Sequence, residues 1–139
     1  GTDGSKMSKS KDNTINIFLP EKKLRKQIMS IATDSTPLEA PKNPNTCTVF
    51  SLYSLMASAE QIATMRKNYE AGGYGYGHAK QALFEVVLAY FSETRKQFDA
   101  YMQHPDALEE KLQKGAQKAR SVAREVLQRV RTNIGFSAR

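Results

Sequence analysis

The chain has 139 residues, 40% of them hydrophobic, with 21 Lys and Arg against 14 Asp and Glu, a formal charge of +7, one Cys and no Trp. That size and apolar fraction suit one compact core and exclude a multidomain enzyme. The longest unbroken apolar stretch, Val86 to Phe91, falls far short of the roughly 20 residues that span a bilayer. No signal-peptide pattern opens the sequence, and the lone thiol of Cys47 has no partner for an intramolecular disulfide, so a soluble protein of a reducing cytoplasm is expected.

The opening run, Gly1 to Asn13, is polar and rich in Gly, Ser and Lys, and it reads as a loop with little to bury. Pro20 followed by Glu21 marks a helix start, because proline loses nothing at the first helical position and an acid there meets the positive end of the helix dipole. Leu24, Ile28 and Ile31 then recur at helical spacing, and the helix is expected to stop near Thr33. Pro37, Pro41 and Pro44 make 34–45 a connector that cannot be helical. Val49, Phe50, Leu52, Tyr53, Leu55 and Met56 form a short apolar helix in the core. Ser58 with Gln61 reads as a capping box, followed by Ile62, Met65 and Tyr69 on one face and ended by Gly72 and Gly73.

A long amphipathic helix is expected from about Ala79 to Met102, with Leu83, Val86, Val87, Tyr90, Phe91, Phe98 and Met102 facing inward. Pro105 and Asp106 open the last helical stretch, which Gly115 could break or bend and Gly135 should terminate. No segment alternates with period two. The fold class is therefore all-α, a bundle of about five or six helices preceded by a flexible loop.

Charge is unevenly placed: +4 over residues 1–31, −4 over 32–110 and +7 over 111–139. The last segment is basic enough to prefer a polyanion or an acidic protein face. Within it Arg120, Arg124 and Arg131 stack on one side of a helix, with Lys111, Lys114 and Lys118 as a neighbouring stripe. An ordinary solvated helix surface explains the charge equally well.

The most specific feature is Lys6-Met7-Ser8-Lys9-Ser10, preceded by Asp3-Gly4 and followed by Asn13-Thr14-Ile15. It resembles the KMSKS loop of class I aminoacyl-tRNA synthetases. When an amino-acid carboxylate attacks the α-phosphate of ATP, charge moves onto the departing pyrophosphate. Two ammonium groups on a hydroxyl-rich loop stabilise that charge most in the transition state. Lys9 is the first choice for this role and Lys6 the second. Ser8 and Ser10 would bond phosphate or fix the loop, and Met7 would anchor it by packing. The competing reading is a solvated Lys/Ser-rich terminus.

Downstream, Thr33-Asp34-Ser35, Pro41-Lys42-Asn43-Pro44, Thr46-Cys47-Thr48-Val49-Phe50, Tyr69-Glu70 with Gly72 to Gly77 and Lys80, and Gly115-Ala116 with Lys118-Ala119-Arg120 resemble the C-terminal helical part of bacterial tryptophanyl-tRNA synthetases. The resemblance covers essentially the whole chain and implies ATP and Mg²⁺ as substrate and ion, tRNA as partner, and a homodimeric parent. It divides the chain into residues 1–19, a loop and connector belonging with a catalytic domain, and residues 20–139, a helical domain for the tRNA anticodon arm. Family members also carry a Rossmann-type domain with a HIGH-type motif. Here His78 and His104 lie in Gly-His-Ala and Gln-His-Pro settings, and no strand–turn–helix pattern could build a nucleotide fold. The expectation is a C-terminal fragment, inactive alone, whose loop is a mobile tail or takes an unrelated conformation. The alternative is a free-standing basic RNA-binding or interaction module with a degenerate loop.

Other features read as structural. The run from Gly72 to Gly77 lacks a preceding strand and reads as a turn packed by Tyr74 and Tyr76. His78 caps or opens the long helix, and His104 sits in a turn before Pro105. Cys47 is a small buried hydrophobe, Glu109 and Glu110 are solvated neighbours, and no metal site is expected.

Overall fold

A computed structural model describes residues 1–136; the end of the expected 20–139 domain, 137–139, lies outside the described residues. Six α-helices form, α1 (Glu21–Met29), α2 (Thr48–Ser54), α3 (Ala59–Ala71), α4 (Tyr76–Tyr90), α5 (Ser92–Gln103) and α6 (Pro105–Asn133), with 3-10 turns at Lys9–Lys11 and Pro44–Thr46. Among the described residues there is no strand, as the absence of period-two alternation implies. No helix among them is long and apolar enough to cross a membrane.

The chain divides into two units, Gly1–Lys96 and Gln97–Arg139. The first contains the core. Leu24, Ile28 and Ile31 are fully buried with Val49, Tyr69, Ala79 and Leu83, and α1 and α2 both pack on α4. Tyr69 sits at the centre, its ring 5.6 Å from that of Phe50, 5.9 Å from Tyr74 and 6.1 Å from Tyr76. Burial pushes its phenol pKa well above the usual range, so the group stays a neutral O–H, 3.5 Å from Cys47 Sγ. Cys47 is buried, as its neighbours Val49 and Phe50 suggest.

Local signals placed the short helices well. The Ser58–Gln61 capping box closes in both directions: Ser58 Oγ accepts from the Gln61 N–H and Gln61 Oε1 from the Ser58 N–H. At the end of α3 Gly72 has φ +79°, and a Cβ there would lie 2.3 Å from the Glu39 carbonyl oxygen. Only glycine admits the proline-rich connector at that distance. The connector is tied down from within by Lys42, 4% exposed, whose Nζ donates to the carbonyls of Pro37, Leu38 and Ala40 at 2.9, 3.2 and 3.2 Å.

Three helix boundaries differ from expectation. α1 stops at Met29 rather than near Thr33, because Ser30 turns back on Gln27 and the Ala32 N–H leaves the helix to donate to the Thr2 carbonyl at 2.6 Å. Pro20 takes the N-cap rather than the first helical position. The expected helix 79–102 is two helices separated at Phe91, whose φ of −96° and ψ of 11° depart from helical values. No Pro or Gly marks that site. Just beyond it the Arg95 guanidinium donates to the carbonyls of Ile17 and Leu19, a tertiary tie that local periodicity does not encode.

Along the same stretch Tyr90 is 61% exposed and does not face inward, nor does Met102 at 69%, while Phe98 stands at the edge of exposure. Phe98 and Met102 belong to the second unit, whose helix α6 contributes no buried residue. Gly115 neither breaks nor ends α6, which runs unbroken from Pro105 to Asn133. Gly135 does terminate it: at φ +78° it donates to the Thr132 carbonyl while the Phe136 N–H reaches back to Arg131 at 2.8 Å, a Schellman closure.

Candidate functional site

The segment from Thr2 to Asn13 is a folded loop rather than an unstructured tail, and Asn13 is why. Its side chain is 2% exposed. Its Oδ1 accepts from the Ser8 N–H at 2.7 Å. Its Nδ2 donates to Asp3 Oδ1 at 2.8 Å, Ser5 Oγ at 3.0 Å and the Lys6 carbonyl at 3.1 Å. The Thr2 N–H meets the Asn13 carbonyl at 2.9 Å, and the Thr2 carbonyl takes the Ala32 N–H. The loop is therefore stitched to the end of α1. Of the two expectations, a mobile tail or an unrelated conformation, these bonds count against the first. A buried amide needs such partners to offset its desolvation, and the loop backbone supplies them.

Asp3 accepts from both the N–H and Oγ of Ser5 as well as from Asn13. The Asn13 bond, followed by those from Ser5, holds its carboxyl at about 2. It is an anion at any working pH. Beyond the clamp, Lys9–Lys11 form the 3-10 turn, ended by Asp12 at φ +51° with its N–H on the Lys9 carbonyl. Ser8 Oγ lies 2.8 Å from Ser10 Oγ. The clamp therefore grips the backbone on both sides of Met7 and leaves the lysine side chains outside. Lys6 and Lys9 are exposed, and no ion pair forms on either ammonium among the described residues.

Met7 lines an apolar cavity of about 320 Å³ together with Ile15, Ile17, Leu52, Met56 and Phe91. Met7 itself is 42% exposed at that cavity, so its side chain is only partly covered. Two free ammonium groups, two hydroxyls in contact and a fixed backbone make a surface that can neutralise a polyphosphate.

Among the described residues no group of three or more His, Cys, Asp or Glu is placed to hold a metal ion. His78 lies within the first turn of α4, whose N-cap is Gly75 without a side-chain cap bond, and its ring lies 5.8 Å from that of Tyr74, tilted by 37°. Only the first part of the Gly72–Gly77 run is a non-helical link, since Tyr76 and Gly77 already belong to α4; Tyr74 and Tyr76 lie against Tyr69.

The basic residues of α6 do not form one face. At about 100° per residue, Arg120, Arg124 and Arg131 fall within about 40° of each other, whereas Lys111, Lys114 and Lys118 centre about 140° away. The two sets border opposite edges of an apolar stripe that includes Leu112, Val122, Val126 and Val130, all exposed. Lys111 donates to the Tyr101 hydroxyl and lies over that ring, and Lys114 pairs with Glu110 at 2.6 Å. The three arginines form no ion pair among the described residues.

Sequence reasoning missed Asn13, Asp3 and Arg95 as organisers. The available signal was position: Asn13 stands at the seam where the polar run gives way to Ile15 and Ile17, which pack against the core. A polar residue there is either exposed or fully bonded.

The family model for class I tRNA synthetases (W and Y) matches residues 1–92. A tryptophan–tRNA ligase of Campylobacter jejuni (strain RM1221) is 47% identical over 136 residues, 98% of this chain and 43% of the relative. That of Rhodopirellula baltica is 46% identical over the same share of this chain and 42% of its own length. The crystal structure of tryptophanyl-tRNA synthetase from Campylobacter jejuni complexed with ADP and tryptophan superposes with a TM-score of 0.92 at 47% identity, over 97% of this chain and 42% of that one. The chain thus spans less than half the length of the relatives it matches.

Proposed function

The chain belongs to the class I tRNA synthetases of the tryptophan and tyrosine type, and from that premise we propose that it is the helical part of a tryptophan–tRNA ligase. The parent joins tryptophan to ATP as an adenylate, releases pyrophosphate and transfers tryptophan to its tRNA. Tryptophan is favoured over tyrosine because the matching relatives across 98% of the chain are tryptophan–tRNA ligases. The observation that carries the proposal is the clamped loop, with Lys6 and Lys9 exposed and unneutralised beyond it.

In this reading Lys9, and secondarily Lys6, follow the charge that builds on the leaving pyrophosphate, a contact made more strongly in the transition state than in the ground state. Ser8 and Ser10 supply hydroxyl contacts, and Met7 holds the loop to the core. The other half of the ATP site and the tryptophan pocket belong to a Rossmann-type domain supplied by the parent, with which residues 1–19 work. By themselves the 139 residues do not activate tryptophan. The Mg²⁺ that accompanies ATP would take its ligands mainly from the nucleotide phosphates and from residues of the parent's other domain. The parent is a cytoplasmic homodimer joined outside this chain.

Residues 20–139 serve the tRNA anticodon arm, with α6 as the phosphate-facing element. The free arginines Arg120, Arg124 and Arg131 contribute more than Lys111 and Lys114, which are already engaged with Tyr101 and Glu110. Contacts of this kind set affinity and its salt dependence rather than base choice. In a tRNA titration over a range of salt concentrations, replacing all three arginines with alanine is expected to weaken binding and flatten the log–log salt slope by roughly 3. Replacing Lys111, Lys114 and Lys118 should flatten it by roughly 1. An unchanged slope in the arginine variant would remove α6 from the interface.

A further inference from the structure

We propose that Asn13 is a positioning residue for pyrophosphate release, its amide clamping the two backbone limbs of the lysine loop into the geometry that aims Lys6 and Lys9 at phosphate. The inference rests on the proposed role of those lysines and goes one step behind it. Asn13 touches no substrate. Its single acceptor takes the N–H of Ser8, and its donors serve the carbonyl of Lys6, Ser5 Oγ and Asp3. The bonded backbone groups fall on either side of Met7, so one planar amide fixes both the spacing and the relative rotation of the limbs. Neither bond can be shared with water, because Asn13 is 2% exposed.

Among the described residues no other side chain of the loop spans it. The Ser8 and Ser10 hydroxyls meet each other, and the Asp3 carboxylate meets Ser5 and Asn13. The lysine side chains are long and unrestrained, so their direction is set by the backbone that carries them. A backbone shift of about 1 Å at such a site is enough to lose on the order of 100-fold in rate.

The chemistry of Asn13 gives a readout that a purely structural residue would not move. In Asn13→Asp, one carboxylate oxygen still accepts from Ser8, but the other replaces the donor that lay 2.8 Å from Asp3 Oδ1. Two carboxylates in contact resist joint ionisation, so the pair retains a proton to higher pH than either acid alone. With that proton in place, an O–H again bridges residues 3 and 13. The bridge to Asp3 in this variant is therefore re-formed as pH falls and lost as pH rises, while the bond to the Lys6 carbonyl stays broken. Adding Asp3→Asn restores an N–H donor between the two positions and removes the like charge.

The test is tryptophan-dependent exchange of pyrophosphate into ATP by the full-length protein, with each variant assayed at a temperature where circular dichroism shows it folded. Asn13→Ala is expected to lower kcat roughly 10- to 100-fold while leaving the KM for tryptophan within twofold. For Asn13→Asp the ratio of its kcat to that of wild type should rise as pH falls, and in the double variant Asp3→Asn with Asn13→Asp the ratio should recover in part and be flat with pH. Asn13→Ala within twofold of wild type, beside an impaired Lys9→Ala, would overturn the positioning role alone. So would a pH-flat Asn13→Asp that Asp3→Asn does not improve. Full activity in Lys9→Ala, or no exchange by wild type, would overturn the lysine-loop reading and this inference with it.

Discussion

Replacing Lys9 with alanine in the full-length protein is expected to lower kcat for tryptophan-dependent pyrophosphate exchange by about 100- to 1000-fold, the usual cost of removing one charge-stabilising donor from a developing anion. The KM for tryptophan should change little, because the proposed role places the loop at the phosphate end. Lys6→Ala should have a smaller effect, about 10-fold. The two ammonium groups differ in placement: the Lys6 backbone is fixed by Asn13 through its carbonyl, whereas Lys9 opens the 3-10 turn that projects past the clamp. Stopped-flow or steady-state exchange assays of the two single variants check the order. Equal, small effects would mean that the ammonium groups point away from the leaving group.

The second large effect falls on stability. Tyr69→Ala should cost about 4 kcal/mol, since it deletes a fully buried ring. That ring is packed against Phe50, Tyr74 and Tyr76. It joins α3, the start of α2 and the turn into α4, so the cavity has walls on several sides and cannot collapse from one. Tyr69→Phe removes only a hydroxyl whose partner is a sulfur at 3.5 Å, and about 1 kcal/mol is expected. Urea denaturation monitored by circular dichroism separates the two, and a similar midpoint for both variants would contradict the packing account.

What could be read from residues alone follows the range of the interactions. The Ser58–Gln61 box was legible because both partners lie three positions apart, and Leu24 and Ile28 because one helical face reports burial directly; Ile31 is buried too, but beyond the end of α1. The early end of α1, the separation of α4 from α5 and the order of the opening loop were not. Each depends on a partner far along the chain: Thr2 for Ala32, Ile17 and Leu19 for Arg95, and residues 3 to 8 for Asn13.

The same distinction governs the site. The chemistry proposed for the loop rests on its residue types, so Lys6 to Ser10 could be singled out from the sequence. The amide that shapes the loop looks like any polar residue until its burial is known. On α6 the arginine spacing was a sound geometric reading, but the lysines are on another side of the helix, and two of them have found Tyr101 and Glu110. Summed charge did not distinguish a free cation from an engaged one.

The central claim is that this chain completes an ATP-dependent activation of tryptophan. The most direct measurement is pyrophosphate exchange by the full-length protein with tryptophan or tyrosine as the amino acid, with the 139-residue chain assayed alongside. The account predicts exchange with tryptophan, little with tyrosine, and none from the 139 residues alone. Exchange driven by tyrosine, or by neither amino acid, would contradict it.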